Sequence, residues 1–129
     1  MHKSHAAVIL FTLFFFSCSH TEPRQALLDN FFRDYIERAD AKAATQWSTG
    51  AAKQKLDLEA AQVAGQPRPM ELPKITYTTF STQQGNDSTT YDLMLKIEEK
   101  DAPSFSRELL ITEANADGGL KVVDFQFVN

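Results

Sequence analysis

Cysteine and histidine are scarce in this 129-residue chain, and all of them lie near its start. The single cysteine is Cys18, and the three histidines are His2, His5 and His20. One cysteine excludes an intrachain disulfide framework and a zinc site built from several thiolates. Because the chain after residue 20 has neither residue type, we expect no Cys-His or Ser-His-Asp catalysis and no His- or thiolate-based metal centre there. We expect no metal and no cofactor.

Glycine and positive charge are also limited. The five glycines are scattered at positions 50, 65, 85, 118 and 119, which excludes a glycine-rich phosphate-binding loop. The 13 Lys and Arg residues face 17 Asp and Glu residues, a formal net charge of −4 that argues against general nucleic-acid binding. The hydrophobic content of 43% and the length fit one globular domain.

Residues 1–17 have the pattern of a secretory signal peptide. Lys3 gives the N-terminal region of the signal its positive charge, and the apolar run that follows, Ala6–Phe16, is broken only by Thr12. A run of this length matches the apolar part of a signal and falls well short of the ~20 residues that a membrane-spanning helix needs. We therefore expect a cleaved signal rather than a transmembrane anchor.

The apolar run ends in the segment Phe15-Phe16-Ser17-Cys18. This segment resembles the lipobox of bacterial lipoproteins, whose cysteine is lipidated and becomes the first mature residue. Ser17 fits the pattern, whereas Phe15 stands where leucine is usual. The resemblance implies a lipid anchor on Cys18 in the bacterial cell envelope, and Ser19 after it implies the outer membrane, facing the periplasm. An ordinary signal with an incidental cysteine is the alternative.

Residues 18–23 form a short tether between that cysteine and the first predicted helix. The residues after Cys18 reach roughly 15 Å when extended, at ~3.3 Å per residue. A lipidated protein of this sequence would therefore hold its domain close to the membrane surface.

Residues 24–39 carry apolar side chains at helical period, which predicts an amphipathic helix. Asp34 falls on the solvated side of that helix. Asp40 is expected to cap a second, short helix over Ala41–Trp47, and a third helix is expected near Ala51–Ala64.

From Lys74 onward the apolar period changes to 2. Four strands are predicted, over Ile75–Thr82, Thr89–Glu98, Phe105–Thr112 and Val122–Val128, joined by short turns. Helices followed by strands indicate a single α+β domain over residues 24–129. Its architecture is a long N-terminal amphipathic helix plus one or two short helices, packed on a four-stranded antiparallel meander sheet.

Three segments carry a resemblance to a known superfamily: the Phe31-Phe32 helix, the Asp40–Ala44 segment leading to Trp47, and the closing Gly119–Phe125. The layout resembles the nuclear-transport-factor-2-like or cystatin-like superfamily over about Pro23–Asn129. Small bacterial lipoproteins of unknown function share this architecture. The superfamily hosts isomerases, dehydratases, secretion-machine scaffolds and binding modules, so the resemblance does not select a function.

Catalysis in such a domain would use Asp and Tyr in the cone between the helices and the sheet, as the resemblance implies. The candidates are Asp124 and Asp92 as bases and Tyr91 as a hydrogen-bond donor. Strand alternation places Asp124 opposite Val123 and Phe125, on the solvent face of the sheet. We therefore expect that the protein is not an enzyme.

Three residues are candidates for binding. Arg107 shares its strand face with apolar residues. Its stem is packed with its head in water, or it forms a buried pair with an acid, or it binds an anion in a pocket. Trp47 is either a core residue or a ligand platform. Phe80, if it lies on the outer face, could belong to a partner-binding patch.

The sequence thus favours a membrane-tethered, non-catalytic binding or assembly module of the bacterial cell envelope. Its expected partners are the membrane, through lipid on Cys18, and an envelope protein. One alternative is a small-ligand isomerase or dehydratase-like enzyme that uses Asp and Tyr in the cone. Another is a partner-specific inhibitor or immunity lipoprotein.

Overall fold

A computed structural model describes residues 22–116 and 118–129. The predicted signal peptide, Cys18 and most of the tether lie outside these described residues. Within them, no helix is both long enough and apolar enough to cross a membrane.

In the part of the chain that the structure describes, three short helices precede a four-stranded antiparallel sheet whose strand order follows the chain, β1-β2-β3-β4. The helices are α1 (Pro23–Phe32, extended by a π-helical turn over Arg33–Glu37), α2 (Ala41–Ala44, extended by a 3-10 turn over Thr45–Trp47) and α3 (Gly50–Val63). The strands are β1 (Lys74–Gln84), β2 (Ser88–Glu98), β3 (Phe105–Ala116) and β4 (Gly119–Val128). The predicted α+β class and antiparallel meander are confirmed.

The first helix departs from the predicted regular helix over residues 24–39. Its α-helical part ends at Phe32, and the Arg38 amide donates to the Arg33 carbonyl at 2.9 Å, a π-type spacing of five residues. The wider turn changes which side chains face the sheet. Asp34 is consequently only 2% exposed, so its predicted position on the solvated side is wrong.

The second helix begins as the sequence predicts. The Asp40 carboxylate accepts a hydrogen bond from the Ala43 amide at 3.0 Å, which satisfies a backbone donor that the helix leaves free. After the 3-10 turn, Gly50 starts α3 with a φ of +59°, a conformation that glycine adopts without a steric penalty.

A β-bulge changes the alternation of the last strand. Thr112 pairs with Asp124 and Glu113 pairs with Val122, so Val123 is the extra residue of β4. Val122 therefore lies on the same face as Phe125 and is fully buried. Strict alternation would place Val122 and Phe125 on opposite faces of the sheet, but the bulge skips one residue and brings both to the same face.

The helices cover one face of the sheet, here called the inner face, and the space between is filled by side chains. Phe31 of α1 packs on Phe125 of β4 with ring centroids 5.6 Å apart. Tyr35 packs on the same ring at 5.0 Å. The fully buried core side chains include Leu28, Leu56, Leu93, Leu95, Leu109 and Ile111.

The sheet has two distinct ends. The near end carries the start of α1, the β1–β2 turn and the end of β3, because Arg24, Gly85 and Asn115 line one cavity there. The far end carries Phe105, where β3 begins. The strands of the sheet separate these two ends.

Candidate functional site

The most unusual buried group of the described domain is the Glu113 carboxylate. Glu113 lies on the inner face of β3, paired with Thr89 of β2 and Val122 of β4, and it is fully buried. Within the described residues, neither carboxylate oxygen has a hydrogen-bond partner. Buried polar groups are nearly always hydrogen-bonded, so this acid requires an explanation.

Burial shifts the protonation of this acid. Burial raises the pKa of Glu113 to about 8, against an ordinary value of 4.5, and the positive charge of Arg24 offsets only part of that rise. The carboxyl group is therefore mostly neutral at pH 7. Burial raises the pKa of Tyr91, and the nearby negative charge of Glu113 raises it further.

A polar cavity of about 330 Å³ lies at the near end of the sheet. It is lined by Arg24 of α1, by the β1–β2 turn from Gln84 to Ser88, and by Asn115. Asn115 follows Glu113 by two residues, on the same face of β3. Gln84 is linked to the pair partner of Glu113, because the Thr89 hydroxyl donates to the Gln84 side chain at 3.0 Å. Glu113 itself does not line the cavity, but it is connected to the lining residues Asn115, along β3, and Gln84, through Thr89.

Among the described residues, two charged side chains line this cavity, Arg24 and Asp87. Nη1 of Arg24 is buried and has no hydrogen-bond partner among the described residues. The remaining lining residues carry amides, a hydroxyl or no side chain. The cavity therefore offers one cation, one carboxylate and several neutral donors and acceptors, which suits a ligand that carries both charges.

The sequence analysis did not single out Glu113, although a signal was present. Glu113 shares strand parity with Leu109 and Ile111, which are both fully buried. A charged side chain on an otherwise apolar face is the pattern that made Arg107, on the same strand, a candidate. The same criterion, applied to every charged residue of β3, also identifies Glu113.

The predicted catalytic residues do not come together. Asp124 lies on the outer face, half-exposed, where it accepts a hydrogen bond from Nζ of Lys55 at 2.7 Å. Asp92 lies on the outer face of β2, next to Glu108, and a hydrogen bond with the Asp92 carboxyl raises the pKa of Glu108. Tyr91 is buried on the inner face. The sheet therefore separates both aspartates from the tyrosine.

The predicted binding residues lie apart from one another. Arg107 is exposed, and its guanidinium carbon lies 3.9 Å from the centre of the Phe127 ring. Phe80 is exposed on β1, at a bulge between Thr79 and Ser81.

Trp47 takes part in a structural network around Asp34. Its indole N–H donates to Oδ2 of Asp34 at 2.7 Å, and the Gln46 amide donates to the same oxygen at 3.3 Å. Burial raises the pKa of Asp34, but hydrogen bonds from Trp47 and Arg33 and nearby positive charge outweigh it, so the pKa lies below its ordinary value. This acid is ionised and fully partnered, in contrast with Glu113.

A larger groove of about 530 Å³ lies between residues 39–42, the end of α3 and the segment from Gln66 to Pro69. It contains none of the predicted site residues. Among the described residues, no cluster of three or more His, Cys, Asp or Glu side chains could hold a metal ion. Neither the protein-family models nor the curated proteins include a match to this chain.

Proposed function

We propose that this protein is a membrane-tethered, non-catalytic binding or assembly module of the bacterial cell envelope, held by lipid on Cys18. The observation that carries the proposal is the position of an exposed aromatic and cationic patch at the far end of the sheet. The chain enters the fold at Pro23, at the near end. A domain tethered by residues 18–23 would therefore present this patch away from the membrane.

The patch consists of Phe105, Arg107 and Phe127. Phe105 is 51% exposed, and Arg107 follows it on the same face of β3. Stacking on Phe127 fixes the plane of the guanidinium and leaves its N–H groups open to a carboxylate. No carboxylate of the described residues lies within ion-pair distance of Arg107. The patch suits an envelope protein that offers an acidic residue beside an apolar one.

The filled space between helices and sheet supports binding rather than catalysis. The side chains between α1 and the sheet leave the core residues Phe31 and Ile111 with no exposed surface. The aspartates and the tyrosine proposed for acid–base chemistry lie on opposite faces of the sheet. A surface patch is therefore the better candidate for the main activity.

For the fold, we propose the finer assignment to a nuclear-transport-factor-2-like or cystatin-like domain. In this assignment, α1 and the π-helical turn over Arg33–Glu37 act together as one long N-terminal helix. The support is the packing of Phe31 and Tyr35, from either part, on the same Phe125 ring.

The lipid anchor is tested by Cys18→Ser in the producing bacterium, with Ser19→Ala as the matched control. We expect the Cys18→Ser protein to leave the membrane fraction, while the control stays in it, because only the first change removes the acylated thiol. Retention of the Cys18→Ser protein in carbonate-washed membranes would contradict the anchor.

The binding patch is tested by placing a photo-crosslinking residue at Phe105 in intact envelopes. We expect a discrete crosslinked product that Arg107→Ala removes, and no such product from a crosslinker at Glu37, an exposed residue outside the patch. A product that persists unchanged in the Arg107→Ala protein would refute the role of this patch.

A further inference from the structure

We propose that the cavity at the near end of the sheet binds a small zwitterion, with its anionic group on Arg24 and its ammonium group on Asp87. The chemical class is a compound that carries a phosphate or carboxylate a few bonds from a primary ammonium. Free amino acids, phosphoethanolamine and the headgroup of an ethanolamine phospholipid all share this chemistry. The binding patch at the far end is not involved.

One residue that lines the cavity, Arg24, carries a buried polar atom that the fold leaves unpaired. Glu113 is fully buried, and neither its oxygens nor the buried Nη1 of Arg24 has a partner among the described residues. Departures from the rule that buried polar groups are paired are expected at functional sites. Here the Arg24 atom belongs to the cavity lining, and the charge of Arg24 acts on the second unpaired group, Glu113.

The cavity matches a small zwitterion in both charge and size. Arg24 can bind an anionic oxygen through paired N–H groups. Asp87 can accept from an ammonium group, and the amides of Asn86 and Asn115 can complete either contact. A cavity of about 330 Å³ lies at the small end of the range for ligand sites, which fits a small metabolite or a headgroup.

Protonation of Glu113 leaves the positive charge of Arg24 available to a ligand. Among the described residues, the titratable and charged groups that interact with Glu113 are Arg24 from the start of α1, Tyr77 from β1 and Tyr91 from β2. The adjoining β4 residue is the uncharged Val122. While Glu113 is protonated, Arg24 has no internal counter-charge from it and can serve a ligand. Once Glu113 ionises, its charge competes with the anionic group of the ligand.

Two sources of such a zwitterion are distinguishable. The lipid source rests on the proposed anchor, because only a chain tethered through residues 18–23 keeps the near end within roughly 15 Å of the headgroups. Binding of a soluble zwitterion does not depend on the anchor. Failure of the Cys18→Ser test and failure of ligand binding are therefore separate results.

The test is an NMR titration of the isotope-labelled full chain in detergent micelles with O-phosphoethanolamine. Inorganic phosphate and ethanolamine serve as half-ligands. We expect saturable shifts of the Gly85, Ser88 and Asn115 amides, and tighter binding of O-phosphoethanolamine than of either half-ligand. Absence of saturable shifts with O-phosphoethanolamine overturns the proposal.

Two variants assign the two charges. Arg24→Gln should weaken O-phosphoethanolamine and phosphate alike by about tenfold or more, as expected for loss of a charge-assisted contact. Asp87→Asn, in an exposed turn, should weaken O-phosphoethanolamine by several-fold without weakening phosphate. Arg68→Gln and Asp101→Asn are the matched controls and should change neither affinity. Equal binding by the Asp87→Asn protein and the unmodified protein overturns the zwitterion assignment, even if Arg24→Gln fails to fold.

Two further measurements complete the design. Affinity for O-phosphoethanolamine should fall severalfold as the pH rises through 8 in the unmodified protein but not in Glu113→Gln, and identical pH profiles would overturn the role given to Glu113. If the shifts appear in nanodiscs that contain ethanolamine phospholipid but not in nanodiscs of phosphatidylglycerol alone, the ligand is the lipid headgroup. Shifts with soluble O-phosphoethanolamine only would assign the free compound.

Discussion

Replacing Glu113 by glutamine should stabilise this protein at neutral pH. The change keeps the shape of the side chain and removes its ability to ionise. Glu113 is fully buried, and burial raises its pKa to about 8 from an ordinary value of 4.5. Because the folded pKa exceeds the unfolded one, the native state binds more protons than the unfolded state between these two values. Stability is therefore greatest below about pH 4.5 and is lost as the pH rises through 8.

The size of the effect follows from the two pKa values. Each pKa unit corresponds to about 1.4 kcal/mol, so full ionisation of Glu113 costs about 5 kcal/mol of unfolding free energy. At pH 7 the fold has already lost roughly 3 kcal/mol of this, because the unfolded glutamate is ionised while the folded one is not. Glutamine avoids the loss, and for a domain of this size the gain is roughly 10 °C in midpoint temperature.

The assay is urea and thermal unfolding between pH 4.5 and pH 8.5, followed by the fluorescence of Trp47, the single tryptophan. The new amide also changes the free energy of unfolding by an amount that does not depend on pH. This amount cancels when the pH dependences of the two proteins are compared. We expect the stability difference between Glu113→Gln and the unmodified protein to grow steadily from pH 5 to pH 8. Glu99→Gln, in the exposed β2–β3 turn, is the control and should follow the unmodified protein. Parallel pH profiles for the unmodified protein and Glu113→Gln would refute the reasoning, since Glu113 would then ionise as easily in the fold as in the unfolded chain.

Two other substitutions test local structure by the same unfolding assays. Asp34→Ala should cost about 3 kcal/mol at pH 7, because it strands the Trp47 indole N–H and removes a buried, partnered charge. The folded pKa of Asp34 is below its ordinary value of 3.8. The contribution of Asp34 to stability is therefore present above about pH 4 and is lost as the pH falls through the folded pKa. If Asp34→Ala lowered the free energy of unfolding by the same amount at pH 3 as at pH 7, this account would be contradicted. Gly118→Ala should lower the free energy of unfolding by about 1–2 kcal/mol, because Gly118 has a φ of +91°. The space around Gly118 is open, so the added methyl group causes backbone strain and no clash. An unchanged free energy of unfolding would refute the turn geometry.

The order of elements could be predicted from the sequence because it depends on local periodicity. The strands β2 and β3 alternate apolar and polar residues along most of their length, and Asp40 has the side chain that a helix start needs. The departures have equally local causes that hydrophobic pattern does not reveal. A π-helical turn buries Asp34, and one extra residue in β4 moves Val122 to the inner face. Both insert or shift a single residue, and both alter which face a side chain occupies without altering composition.

The candidate sites were harder to predict because they depend on which elements meet. Arg107 was recognisable as a charge on an apolar strand face, but its stacking on Phe127 requires the register between β3 and β4. The cavity at the near end requires Arg24, Asp87 and Asn115 to converge from three separate parts of the chain. Spacing along the sequence contains no sign of that convergence.

The same bulge that buries Val122 also connects the fold to the proposed ligand site. By pairing Val122 with Glu113, it closes the β4 side of the carboxyl group with an apolar side chain and leaves Arg24 as the charged group that lowers its pKa. A polar residue in place of Val122 would give the Glu113 carboxyl group a hydrogen-bond partner and lower its pKa. The free energy of unfolding that is lost because this group is buried would then be regained. The expected consequence is a more stable protein that binds a zwitterion less well at pH 7, since an ionised Glu113 would compensate Arg24 from within. If Val122→Thr instead left the pH dependence of unfolding unchanged, the carboxyl group would not sense its β4 neighbour, and the coupling between the bulge and the site would be wrong.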